Sequence, residues 1–422
     1  MVKATQQPDV CDFQPARDFT EPDPLVSSFE SRKRLEYTKQ LEASIQSDYA
    51  YLLPGFGLDL YHVATILTIP SRNFKPPLRL SMESCLIDGR PFGGNNHQDI
   101  LEKLEDIPPF YRHYMMNLGA ADVAPELQPY ALRDNEPQPT YSDVDSDDMD
   151  VDFKKLLRRY ARTIPTLEDH LRDEAEAAKC RARDGNICIV TGKPNPKTYH
   201  ILPFTCNDTV NHNNNTAYVR AGAESLLLKD IPAQAPYVSN SRTLGGSDKA
   251  WNQLCLDPEL YSWWAKGYCA FKFMHSHDIS AGKEMVTLQF RWMPQIKKRP
   301  RMTMKIHGTG PENDWLNLMA ELDTFHAQHQ PPPKIGGKTL RATTKAGTPL
   351  QSGHLIHICL PKEDVERLEV VINLQWCSIV FMAFIGAAGT PEMPLRDKLE
   401  EKVMTWLEDE SGASDQDEID RD

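Results

Sequence analysis

A histidine in a turn-rich stretch is the first side chain of this sequence that could do chemistry. His200 lies in CIVTGKPNPKTYHILPF, where the Gly, Pro and Asn residues predict a chain reversal between two short strands, at residues 187–190 and 199–202. Imidazole is the side chain whose ordinary pKa lies nearest to neutrality, so a positioned histidine can take a proton from water. The stretch therefore predicts a base held on a hairpin.

The second informative stretch, NQLCLDPELYSWWAKG, begins with Asn252 about fifty residues later. It predicts a strand at residues 253–256 and then a short helix. Asp257 is the expected N-cap, Pro258 suits the first turn, and Gly267 suits the residue after the C-cap. The elements expected around the histidine are thus a hairpin, an insertion, a strand and a short helix.

Taken together, these pieces resemble the fungal HNH endonuclease domain, which has a ββα-metal nuclease fold. The resemblance lies in a basic helix running into RDGNICIVTG, the histidine of YHILPF, the asparagine of NQLCLDPELYSWWAKGYCAFKF and the strand VTLQFRW. Two later stretches, SGHLIHICLP and LQWCSIVFMAFIGAAG, extend it over roughly residues 156–389. The fold class implied is α+β, with an HNH nuclease-like ββα core, a helical extension and a separate N-terminal mixed α/β region.

The resemblance implies metal-dependent hydrolysis of phosphodiester bonds in DNA. His200 would be the general base, and Asn252 would fix the base or its loop by hydrogen bonding. The helix would supply a ligand to a divalent metal ion, Mg²⁺ or Mn²⁺, which neutralises charge on the phosphate and leaving group. Nucleic acid, with DNA preferred to RNA, is the implied partner, and the implied location is intracellular, in the nucleus or the cytoplasm.

One position departs from this pattern. Tyr261 stands where the last histidine of the motif is expected, and a neutral phenol is a poor ligand for Mg²⁺. Asp257 is a candidate replacement ligand, and His212, His275 and His277 are further alternatives. Three readings stay open. The first is a nuclease weakened or inactivated at Tyr261, the second is a non-catalytic module that binds nucleic acid or protein on a degenerate HNH fold, and the third is an atypical metal site completed by Asp257 or a distant histidine.

Charge and composition set the wider organisation. The chain has 422 residues and a formal net charge of −13, with acidic runs at residues 142–152 and 408–422. Such runs lack the apolar side chains needed to pack and read as solvated segments. The predicted regions are a disordered tail at 1–27, an N-terminal mixed α/β region of unknown role at 28–135, an acidic linker at 136–152, the HNH nuclease-like domain at 153–300, a C-terminal helical extension at 301–395 and an acidic tail at 396–422.

Several further patterns bear on partners. The cysteines inside the nuclease-like region form no C-x-x-C pair, so a structural zinc knuckle is not expected. Residues 370–388 approach the length of a membrane span but contain Asn373, Gln375 and Ser378, and no membrane partner is expected. Basic residues at 154–162 and 297–305 are candidate phosphate contacts.

Overall fold

The protein is described here from a computed structural model that covers residues 19–48, 55–75, 80–82, 85–87, 90–92, 97–120, 168–224, 238, 243–280, 282–297 and 303–389. These residues form a mixed α+β structure, as predicted. The helices are α1 (Ser28–Asp48), α2 (Leu60–Thr68), α3 (His97–Ala120), α4 (Glu174–Arg183), α5 (Val210–Glu224), α6 (Pro258–Ala265), α7 (Asp314–Ala327) and α8 (Lys362–Phe384). The strands are β1 (Cys85–Ile87), β2 (Arg90–Phe92), β3 (Lys197–His200), β4 (Gln253–Leu256), β5 (Cys269–Ser280), β6 (Lys283–Trp292), β7 (Lys334–Ile335), β8 (Lys338–Thr339) and β9 (Leu355–Pro361).

The sheets are small and antiparallel. Strands β5, β6 and β9 form a three-stranded sheet in that order, while β1–β2, β3–β4 and β7–β8 form two-stranded sheets. Alternate residues of a strand point to opposite faces, and one face of the three-stranded sheet is buried. The three-stranded sheet therefore has a core face and an outer face.

Helix α8 is the centre of the core. It is long and apolar enough to cross a membrane by length and composition, and 72% of its most apolar window is buried inside the protein. Its one buried amide, Gln375, accepts a hydrogen bond from Trp264 Nε1 at 2.9 Å and donates to the Phe271 carbonyl at 2.5 Å. Because buried polar groups need partners, this amide fixes α8 against α6 and β5.

The local sequence predicts a strand at residues 60–69 and a helix over residues 97–118 broken at Pro108 and Pro109, and the structure differs from both predictions. Residues 60–69, expected as a strand, contain helix α2, which Asp59 caps by accepting from the His62 N–H at 3.0 Å. Its residues from Leu60 to Leu67 are all buried, including His62 and Thr65, so the sequence lacks the separate apolar and polar faces that would have revealed a helix. Helix α3 runs without a break through Pro108 and Pro109, because packing of its apolar side chains outweighs the hydrogen bonds lost at proline.

Helix α3 also joins the N-terminal region to the rest of the core. Tyr114 donates a hydrogen bond to the Ile201 carbonyl at 2.5 Å, and His113 pairs with Thr216 of α5 at 2.8 Å. Part of the predicted tail, residues 19–27, runs along the end of the three-stranded sheet, where Arg291 donates to the Asp23 carbonyl at 2.6 Å. The predicted linker, the acidic tail at 396–422 and the basic residues at 154–162 lie outside the described residues.

The strand pairing around His200 differs from the predicted hairpin. Strand β3 pairs with β4, with His200 opposite Gln253, whereas residues 187–190 make only an isolated bridge between Ile187 and Pro194. The Ile189 N–H does bond to the Cys255 carbonyl at 2.9 Å, so this segment lies beside β4 without becoming a strand. Turn chemistry located the reversal correctly but could not reveal a strand partner more than fifty residues away.

A buried histidine in α2 makes the stability of this fold depend on pH. His62 lies 2.8 Å from Asp59 and 3.3 Å from Glu105, both measured to carboxylate oxygens. Burial lowers the pKa of an imidazole, but here the two carboxylates outweigh burial and raise the pKa of His62 to about 9.

We expect the free energy of unfolding to include a His62 contribution that is fully present below the ordinary pKa near 6.5 and is lost as the pH rises through about 9. Its size is at most about 3 kcal/mol. Urea unfolding between about pH 6 and about pH 9.5 measures it. His62→Gln should remove this pH dependence, whereas His329→Gln, at an exposed site, should retain it. Equal pH dependence in both variants would contradict this assignment.

Candidate functional site

The site depends on three hydrogen bonds of the Asn252 side chain, which close the insertion between β3 and β4. The Asn252 side chain is fully buried; its Oδ1 accepts from the Leu202 N–H at 2.9 Å, and its Nδ2 donates to the carbonyls of Leu202 and Ser247, both at 2.9 Å. A primary amide matches this arrangement because it offers one acceptor oxygen and two N–H donors. Asn252 thus ties the end of β3 to the turn before β4.

That turn carries a carboxylate which meets His200. His200 Nε2 lies 2.8 Å from Asp248 Oδ1, and His170 Nε2 lies 3.0 Å from Asp248 Oδ2. The Asp173 N–H, at the start of α4, also donates to Asp248 Oδ2, at 2.6 Å, and Gln253 donates to Oδ1 at 3.1 Å. One buried carboxylate is therefore shared by two imidazoles, a backbone N–H and an amide.

The charge states of this cluster follow from its contacts. Burial raises the pKa of Asp248, but the hydrogen bonds from His200, Asp173 and His170 outweigh burial and hold it well below its usual range. Burial lowers the pKa of His200, and nearby Arg172 and His170 act in the same direction against the pull of Asp248. Near neutral pH, His200 is therefore neutral beside an ionised Asp248. Since a carboxylate only accepts, the proton is on Nε2 and Nδ1 keeps its lone pair.

An exposed cation lies at the mouth of the cluster. The Arg172 guanidinium is 5.3 Å from the centre of the Phe204 ring, and that ring also packs against His200 and His170, at 5.5 Å and 5.9 Å between ring centres. Arg172 is exposed to solvent. The arrangement presents a guanidinium, whose N–H groups suit an anionic oxygen, beside the half-exposed imidazole of His170.

Tyr261 packs into the core on the other side of β3. Its ring stacks on Tyr199 with 3.7 Å between centres and 8° between planes, and its hydroxyl donates to the Leu118 carbonyl of α3 at 2.6 Å. The expected packing against Trp264 is present as an edge contact at 5.9 Å. The capped helix α6 is also confirmed, with Asp257 as N-cap and Gly267 at a positive φ of 74°.

The other candidate metal ligands are engaged elsewhere. Asp257 accepts from the Glu259 N–H at 2.9 Å and lies 3.5 Å from Lys193, while His212 pairs with Asp208 at 2.6 Å. His275 and His277 belong to strand β5. Among the described residues, the structure does not bring any of these four to His200 by a hydrogen bond.

These residues do not fit a Mg²⁺ or Mn²⁺ ion at the positions that the resemblance implies. Tyr261 and Tyr199 offer two stacked phenols, and both Asp248 oxygens are already occupied by hydrogen-bond donors. Both ions prefer carboxylates, carbonyls and water. The predicted metal dependence therefore has no ligand set at this place in the fold.

A different cluster of ligand-type residues was missed from the sequence. Cys180, Asp184 and Cys255 are all buried, with ligand atoms within 4.8 Å of one another and 3.9 Å between the two sulfur atoms. Arg183 donates to both Asp184 oxygens and to Cys180 Sγ, so a buried guanidinium already balances the carboxylate. Burial and the neighbouring thiol raise the pKa of Cys255, which opposes thiolate formation. We interpret this cluster as a set of buried contacts that hold α4 against β4.

Sequence reasoning identified His200 and Asn252 but missed Asp248, His170 and Arg172. No spacing rule connects these residues, because His170 precedes α4 and Asp248 lies in a long insertion. Comparison with family models, with curated proteins and with solved structures gave no match.

Asn252→Asp tests the loop-closing role. The substitution replaces two N–H donors by an acceptor facing the carbonyls of Leu202 and Ser247, so we expect a loss of about 2–4 kcal/mol in the free energy of unfolding. Asn317→Asp is the matched control, because the Asn317 amide donates to the Pro311 carbonyl at an exposed position. Urea denaturation measures both variants, and equal losses would contradict a special role for Asn252.

Proposed function

We propose that this chain is a degenerate HNH-type domain that binds the phosphodiester backbone of nucleic acid, DNA in preference to RNA, without metal-dependent cleavage. The observation that carries the proposal is the stacking of Tyr261 on Tyr199, which buries Tyr261 at the position where the resemblance implies a metal ligand. The order β3, long insertion, β4 and α6 supports a ββα arrangement around His200. The departure at Tyr261 thus favours the non-catalytic reading.

The solvent-exposed side of the His200 cluster supports the binding of phosphate groups. Arg172 is exposed there, and its guanidinium can donate hydrogen bonds to a phosphate oxygen. The carboxylate of Asp248 lies behind the imidazoles of His200 and His170, with its side chain 1% exposed, so it presents little negative charge to an approaching anion. Phosphate contacts of this kind give affinity that falls steeply with salt and carries little sequence preference.

A second candidate, weak residual hydrolysis, is favoured by one specific observation. Asp248 fixes the tautomer of His200, which leaves a neutral imidazole with a free lone pair on Nδ1. This is the state required of a general base near neutral pH. The chain therefore keeps a histidine in the state of a general base, while aromatic side chains occupy the place expected for the metal.

Arg172→Gln tests the binding proposal. We expect weaker binding to a short DNA duplex and a salt dependence reduced by about one phosphate contact, measured by fluorescence anisotropy over a range of salt. Arg367→Gln is the matched control, because Arg367 lies on α8 and pairs with Asp364 at 3.0 Å. Equal affinities for the parent and both variants would contradict the assignment of the binding surface.

Tyr261→His tests the degenerate site. We expect the parent protein not to nick plasmid DNA in Mg²⁺ or Mn²⁺, with EDTA as the metal-free control, because Tyr261 offers no imidazole ligand. The histidine variant should gain Mn²⁺ binding by calorimetry, and any nicking it gains should disappear when His200→Ala is added. Tyr261→Phe keeps the ring, loses the bond to Leu118 and should gain neither property. Strong Mg²⁺- or Mn²⁺-dependent nicking by the parent would overturn the proposal.

A further inference from the structure

The outer face of the three-stranded sheet carries an unusual set of side chains. In the strand register His275 lies opposite Thr287, which lies opposite His357, and in the next row His277 lies opposite Met285, which lies opposite Cys359. Directly opposite residues point to the same face of a sheet, and so do residues two apart on one strand. These two rows therefore place three imidazoles, a thioether and a thiol on one face.

This face is open to solvent at the second row, whereas Thr287 in the first row is buried. The residues between them on the other face, such as Val286 and Ile358, are buried in the core against α8. On the outer face His275 and His277 are exposed, and Met285, His357 and Cys359 are half-buried. Among the seven cysteines whose side chains the structure describes, six are buried and Cys359 is half-buried.

The distance between strands β5 and β9 suits an ion that is bound by side chains from both strands. Neighbouring strands lie about 4.8 Å apart, so the backbones of β5 and β9 are about 10 Å apart with Met285 between them. An imidazole from one side and a thiol from the other can meet a central ion across that gap, with bonds of about 2.0 Å to nitrogen and about 2.3 Å to sulfur. The centres of the His275 and His277 rings are 6.1 Å apart. His275 is therefore a second imidazole close to this gap, on the strand at the edge of the sheet.

We propose that this face binds a soft transition-metal ion, of the class of monovalent copper, through the Cys359 thiolate, the Met285 thioether and the His277 imidazole. Thiolate and thioether sulfur select soft ions, and imidazole is compatible with them, whereas Mg²⁺ prefers oxygen ligands. The thiol loses its proton to solvent when the ion binds, and the ion keeps its oxidation state. The site forms by rotation of surface side chains, without movement of the strands.

The proposed site is independent of the His200 cluster and of the buried Cys180 cluster. In the latter, the Arg183 guanidinium already contacts Cys180 and Asp184, whereas His275 and His277 on the sheet face have neither a described hydrogen bond nor an ion pair. An ion can reach the sheet face from solvent without displacing a buried cation. The two clusters can therefore be separated by mutation.

The experiment is a titration of the full chain with Cu(I), in competition with a chromophoric Cu(I) chelator, and with Zn²⁺ and Mg²⁺ in parallel. We expect one equivalent of Cu(I) to bind and Mg²⁺ not to bind. Cys359→Ser and His277→Ala should each weaken Cu(I) binding by about tenfold or more, and Met285→Leu should weaken Cu(I) more than Zn²⁺. His329→Ala, which removes an exposed imidazole elsewhere, is the matched control and should bind as the parent does.

Co(II) substitution adds a readout of the ligand itself, because a sulfur-to-metal charge-transfer band should appear in the parent and be absent in Cys359→Ser. Thermal unfolding shows that each variant is folded. Absence of stoichiometric Cu(I) uptake would overturn the proposal, and so would uptake that is unchanged in Cys359→Ser and His277→Ala. Loss of uptake in Cys180→Ser instead would place the ion in the buried cluster and would equally overturn it.

Discussion

The Asn252 side chain is the constraint on which the rest of the site depends. Its three hydrogen bonds close the insertion between β3 and β4 by joining Leu202 at one end to Ser247 at the other. Closing a long loop costs entropy that grows only slowly with its length, so a few buried hydrogen bonds can hold it. Because the insertion is closed at this point, Asp248 lies against His200, and both are fixed relative to β4.

Electrostatics then decides what the cluster can do. A buried carboxylate is costly unless its oxygens are satisfied, and Asp248 satisfies them with His200, His170 and the Asp173 N–H. The same bonds leave no free carboxylate oxygen for a divalent cation. The arrangement keeps His200 neutral and places Arg172 at the surface, which suits contact with an anion better than metal-assisted hydrolysis.

Aromatic packing and helix α3 fix the position of Tyr261. Tyr261 and Tyr199 bury their rings against each other, and Leu118 of α3 supplies the acceptor that the Tyr261 hydroxyl needs. Helix α3 is held in turn by α8, whose Gln375 joins α6 and β5 to the core. The N-terminal helices are thus part of what fixes Tyr261, and a change at Tyr261 alone alters one side chain in a preformed framework.

By itself the sequence determined local features, because turn and cap chemistry depends on neighbouring residues. These features are the α+β class, the cap and stop of α6, strand β4, and the choice of His200 and Asn252. Tertiary structure alone decided that β3 pairs with β4, that residues 60–68 are helical, and that α3 continues through its prolines. It also brought His170 and Asp248 to His200. Contacts between residues 48 and 78 positions apart leave no periodic signal, because they are selected by packing and by the pairing of buried polar groups.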